Sequence, residues 1–186
     1  MNKIYQSTAN SLYPDSPETY RLKKTYFNVL SYIHENDWQG ACHATTAILY
    51  VLLREQGLEA VPCLGEVSQG PIVFDHSWIE IDSKVLDAAV SKSLIQGISF
   101  PPVFLDSNLL TGDRSDLIYG SDIGRGLDAQ AQAIADMPIG LYMDGFPGHP
   151  EGLWGIAKLL GKRQGLKLSL VLAKSKWGKS NWVVRS

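Results

Sequence analysis

One stretch narrows the possible folds more than any other: the run that begins near Ala41 and continues to Leu53. Ala44, Ala47, Ile48, Val51 and Leu52 recur at helical spacing, while Leu49, Tyr50 and Leu53 widen the apolar surface until few polar positions remain. A helix that is apolar nearly all round is buried on most of its sides. The rest of the chain must therefore enclose it, and Gly57 supplies its C-terminal stop.

The flanking segments provide that cover. Ser16-Pro17-Glu18 reads as a helix start, with Ser16 as N-cap and Pro17 in the first turn. Tyr20, Tyr26, Phe27, Val29, Leu30 and Ile33 carry this helix to about His34, and Asn36-Asp37 and Gly40 break it. After the buried helix come a strand over 60–67, where Pro62 marks an edge or a strand start, and then a turn at Ser68-Gln69-Gly70-Pro71. A second strand over 72–81, a turn at Asp82-Ser83-Lys84 and a third strand over 85–90 complete a meander. Residues 97–128 are rich in Gly, Pro, Asp and Ser and show little period; a connection that long is either a functional lid or holds elements the pattern does not reveal. Short helices are expected over 127–137, ended by Pro138, and over 151–160, stopped by Gly161. Alternating Leu166, Leu168, Leu170 and Leu172 predict a strand, and Trp182-Val183-Val184 another. The fold class expected is α+β, a buried helix packed on an antiparallel sheet.

The 186 residues fit one domain spanning 1–186. No apolar run approaches the ~20 residues needed to cross a bilayer, and the N-terminus lacks the apolar core of a signal peptide. Cytoplasmic residence is the default expectation, and an effector exported by another route would read the same. Two cysteines, Cys42 and Cys63, make no disulfide framework. Residues 152–186 carry eight Lys and Arg and no acid, whereas residues 1–151 carry 9 basic against 19 acidic side chains. Because the late basic residues alternate with apolar ones, a basic strand docked on an acidic body is expected rather than a nucleic-acid interface.

The chemistry-bearing residues fall on these elements. Cys42 stands where the buried helix begins, behind Gly40 and Ala41. There the helix dipole and free N–H groups favour thiolate and can face a developing oxyanion. The small neighbours let a substrate approach. Cys63, inside a strand, reads as a buried hydrophobe. Alternation puts Phe74, His76, Trp78 and Glu80 on one strand face. A turn centred on Asp82-Ser83 sets Asp87 opposite Trp78; a turn centred on Ser83-Lys84 sets it opposite Glu80. Both registers leave Asp87 on the face of His76, and the first makes it a diagonal neighbour within side-chain reach. An Asp there can hold the imidazole while its other nitrogen addresses the thiol. A metal set from Cys42, His43, Asp75 and His76 lacks Cys-x₂-Cys or His-x₃-His spacing, so no metal is expected. Gly124-Arg125-Gly126 is too short for a phosphate loop.

Gly40-Ala41-Cys42 opening a buried helix, His76-Ser77-Trp78-Ile79-Glu80 on a strand and Val85-Leu86-Asp87 on the next resemble the transglutaminase-like superfamily of papain-fold cysteine enzymes. The stretch 47–60 is similar to that family's helix leading into the next strand, so the resemblance covers about residues 38–90. It implies a Cys42–His76–Asp87 triad, Gln39 and Trp78 as oxyanion or substrate-binding candidates, and no cofactor. The implied activity is acyl transfer or cleavage at a peptide or glutaminyl amide, with a peptide or protein as substrate. His43 departs from the pattern, since larger members often carry an aromatic there. The rival expectation is a non-catalytic module that grips a protein partner with residues 97–149.

Overall fold

The computed structural model describes residues 3–95, 98–122 and 124–186. Met1 and Asn2 of the N-terminus, and residues 97 and 123 of the long 97–128 connection, lie outside the described residues. The architecture is α+β. After a first helix α1 (Lys3–Leu12), helix α2 (Pro17–Glu35) starts as its sequence predicts: the Ser16 hydroxyl accepts from the Thr19 N–H at 3.0 Å, and Pro17 fills the first turn. Helix α3 (Cys42–Arg54) is the apolar run, and every residue from Ala44 to Leu53 is buried. It lies between the sheet, where it meets β1 (Val61–Gln69) and β2 (Ile72–Ile81), and the helices α2 and α6 (Gly152–Arg163). No helix among the described residues is long and apolar enough to cross a membrane.

The meander is antiparallel, and β3 (Lys84–Asp87) pairs with β2 as Ile79↔Leu86, Glu80↔Val85 and Ile81↔Lys84. Asp82 (φ 50°) and Ser83 (φ 61°) form the two-residue turn with both residues left-handed, the geometry that matches strand twist. This selects the first of the two registers. Strand β3 ends earlier than the expected 90, because the Asp87 carboxylate accepts the Val90 N–H at 3.0 Å and starts a 3-10 turn, Ala89–Lys92. The 97–128 connection holds three two-residue strands, β4 (Val103–Phe104), β5 (Ser107–Asn108) and β6 (Ile118–Tyr119). They extend the sheet to the order β5-β4-β3-β2-β1-β6, with β7 (Val183–Arg185) parallel to β1. Pro62 stands at the start of β1, ahead of the Cys63–Gly65 segment that pairs with β7, so its missing N–H breaks no bond there.

Alternation gives the sheet two apolar faces. Leu64, Ile79, Ile81, Leu86 and Phe104 join the main core with α2, α3 and α6. Cys63, Val67, Trp78, Val103, Phe100 and Leu117 form a second core on the opposite face.

Helices α4 (Ala129–Ala135) and α6 fall where the sequence places them, and α5 (Ile139–Gly145) lies between. The strand expected from the leucine alternation is a correction: residues 170–177 form helix α7 (Leu170–Trp177). Leu170, Ala173 and Trp177, three and four residues apart, face the core, while Val171 and Leu172 are exposed. The helical period wins because burial follows it and the leucine alternation does not. The basic residues nevertheless dock on acids of the body, through Arg163–Glu35 (2.9 Å), Lys174–Asp144 (2.6 Å), Lys176–Glu55 (3.1 Å) and Arg185–Glu80 (2.5 Å).

Strand β7 comes so close to β1 that only glycine fits at position 65: a Cβ there would lie 2.4 Å from the Arg185 carbonyl oxygen and 3.2 Å from the Trp78 ring. Gly65→Ala is expected to cost about 1–3 kcal/mol through overpacking, measured by denaturant unfolding. An unchanged midpoint would mean that β7 does not dock there.

Candidate active site

Cys42 is the first residue of α3, and its N-cap is Ala41, so no side chain caps this end. The Thr45 N–H donates the first bond of the helix, to the Ala41 carbonyl at 2.8 Å. The N–H groups of the three residues before Thr45 have no acceptor within the helix. A Ser or Asp cap would strengthen the helix by about 1 kcal/mol but would occupy one of these donors; alanine leaves them uncapped by a side chain. The chain enters α3 through Gly40, whose φ of +63° favours glycine and whose Cβ would meet Leu94 Cδ1 at 2.6 Å. The Gly40 N–H donates to the Lys92 carbonyl at 3.0 Å, tying this entrance to the 3-10 turn after β3.

The hairpin register makes Asp87 the diagonal neighbour of His76, and His76 Nε2 donates to Asp87 Oδ2 at 2.8 Å. Both residues are buried. Since β3 stops at Asp87, β2 has no β3 partner at His76. Cys42 and His76 line the same cleft, and each favours the charged form of the other. With Nε2 on Asp87, Nδ1 is the ring nitrogen left for another partner.

The carboxylate is held from several directions. Val90 N–H donates to Oδ1, Tyr119 Oη donates to Oδ2 at 2.9 Å, and Tyr26 Oη donates to the Asp87 main-chain oxygen at 3.1 Å. Burial, and then the Asp87 charge, push the Tyr119 hydroxyl well up, so it stays a donor. Nothing in the sequence marks Tyr119, because a two-residue strand shows no period.

The electrostatics favour a thiolate–imidazolium pair. Burial alone would push the Cys42 thiol up, but the His76 charge and hydrogen bonds from His43 and His76 overcome it and bring the thiol from 9.0 to about 5. Burial likewise disfavours a charged His76, yet Asp87 and the Cys42 thiolate lift it from 6.5 to about 10. Cys63 behaves oppositely: burial and the Glu80 charge push it up to about 12.

Cys42 and His76 open onto a cleft of about 200 Å³. Phe74, Leu94 and Ile95 give it apolar walls, and Asp128 and Gln130 at the start of α4 close another side. That side is pinned to the strand of His76: Asp75 accepts from the Asp128 N–H and from Arg125 Nη2, both at 3.0 Å. Part of the 97–128 connection is thus a wall of the cleft. His43 also lines the cleft, although the sequence singles it out only as a member of a rejected metal set and as a departure from the pattern that the chain resembles. The remaining candidates lie elsewhere. Gln39 is exposed in the turn before α3 and is not among the described lining residues. Trp78 is buried in the second core, where its indole donates to Glu80 at 3.2 Å and its ring packs edge-on to Tyr119.

A thiol reacts as thiolate, so its alkylation rate rises as pH climbs through its pKa. Alkylation of Cys42 by iodoacetamide should rise with a midpoint near pH 5 and stay on a plateau at neutral pH, while Cys63 stays unlabelled in the folded protein. A Cys42 midpoint in the ordinary thiol range would contradict the pairing with His76. No family model, curated protein or solved structure matches the chain.

Proposed function

We propose that the chain is a cysteine-dependent acyl-transfer enzyme on a papain-like, transglutaminase-like fold, acting at a peptide or glutaminyl amide. The observation that carries this reading is the buried His76–Asp87 hydrogen bond in a cleft that Cys42 and His76 line together, with the His76 charge holding the Cys42 thiol low. Perturbed titrating groups gathered in a cleft mark functional sites, and a module that only binds a partner has no need of a thiol held as thiolate.

The Cys42 thiolate attacks the amide carbonyl carbon, and the carbonyl oxygen gains negative charge beside the free N–H groups that open α3. His76 gives its Nδ1 proton to the leaving amine as the C–N bond breaks, leaving a thioester on Cys42. Water or an amine then attacks the thioester and His76 takes up its proton. Asp87 orients the imidazole throughout, and Tyr119 and Val90 orient Asp87. The cleft is smaller than sites for drug-sized ligands, which run to roughly 300–1,000 Å³. It suits a single side-chain arm such as a glutaminyl amide, or a narrow peptide segment.

Release of amine or ammonia from peptide and glutaminyl amides tests the reading. Cys42→Ala is expected to abolish turnover, Asp87→Asn to lower kcat by roughly 10⁴-fold, and Cys63→Ser to leave it unchanged. Equal turnover by wild type and Cys42→Ala would reject the assignment.

A further inference from the structure

We propose that His43 is a second catalytic histidine, the side-chain donor to the oxygen that becomes an oxyanion when Cys42 attacks. The inference rests on the acyl-transfer reading and adds a residue to it. Consecutive residues of a strand point to opposite faces, and β2 uses this to set two imidazoles beside one sulfur. His76 is a β2 residue itself. Ser77, the next residue and fully buried, places its hydroxyl 2.6 Å from His43 Nδ1. The His43 ring is also boxed edge-on by Tyr142 at 6.5 Å and Trp182 at 6.2 Å. Its side chain lines the same cleft as Cys42 and His76, and its presence lowers the Cys42 thiol.

In this role the Ser77 hydroxyl is the donor to Nδ1, and the ring hydrogen sits on Nε2 for the reacting centre. In the resting site this N–H supports the thiolate. As the sulfur–carbon bond forms, the carbonyl π pair moves to oxygen and the charge leaves the sulfur. The His43 N–H then donates to that oxygen without giving up its proton. On collapse the C–N bond breaks, and the leaving nitrogen takes its proton from His76, not from His43. His43 thus supplies the side-chain donor that Gln39, exposed and outside the described lining of the cleft, does not.

Two reagents separate this role from a mere effect on the thiol. Acylation by p-nitrophenyl acetate passes through an oxyanion; alkylation by iodoacetamide does not. Both rates are measured on the alkylation plateau of each variant. His43→Phe keeps a ring between Tyr142 and Trp182 but removes the donor, and should slow acylation roughly 10²–10³-fold while alkylation stays close to wild type. His43→Gln, which restores an N–H, should recover part of the acylation rate. Ser77→Ala, which keeps the imidazole but frees its tautomer, should slow acylation selectively and serves if His43→Phe does not fold. Equal slowing of both reactions, or no slowing, would overturn the role of His43 and leave the acyl-transfer reading standing. A wild-type Cys42 that alkylates but is never acylated would overturn both.

Discussion

A buried carboxylate sets the geometry of this molecule. Asp87 is 2% exposed, and a charge taken so far out of water is tolerated only when its oxygens are satisfied. The partners come from different parts of the chain: His76 from β2, Tyr119 from β6 and Val90 from the 3-10 turn, with Tyr26 of α2 on the main-chain oxygen. The same turn ends at Lys92, whose carbonyl accepts from Gly40 and so fixes the entrance to the helix of Cys42. The position of Cys42 therefore depends on how one carboxylate is paired. Loss of any partner would disturb several elements together.

That pairing also explains why burial does not silence the site. Desolvation opposes the charge on Cys42 and on His76 alike, but the two charges offset each other and Asp87 tips the balance toward the imidazolium. Cys63 is the internal contrast, since it is buried beside the Glu80 carboxylate and is pushed the other way. The same molecule holds one thiol ready to ionise and one that stays protonated. The neighbouring charges differ, an imidazolium beside Cys42 and a carboxylate beside Cys63, and Cys63 is also the more deeply buried of the two.

The parts legible in the sequence are those with local causes. Burial of α3 on nearly every side is written in its composition, and the start of α2 in Ser16-Pro17. The phase of His76 follows from strand alternation. The position of Asp87 was legible only up to a choice of two registers, because the deciding feature is the left-handed pair Asp82-Ser83, which carries no glycine to announce it. The strands of 97–128 are two residues long, too short for any period, and their pairing is set by distant segments, so Tyr119 could not be read at all. The leucine alternation before α7 misled because burial there follows a helical face. His43 gained a place only when folding brought Ser77 against it, a contact across 34 positions.

The proposed acyl transfer requires that a substrate acyl group pass through Cys42 with the help of His76. Mass spectrometry of the full chain after brief exposure to an activated ester, followed by peptide mapping, tests this directly. The prediction is one acyl group on Cys42, none on Cys63, and none on Cys42 in His76→Ala over the same interval. Acylation of Cys63 in preference to Cys42, or acylation of Cys42 that is indifferent to His76→Ala, would contradict it.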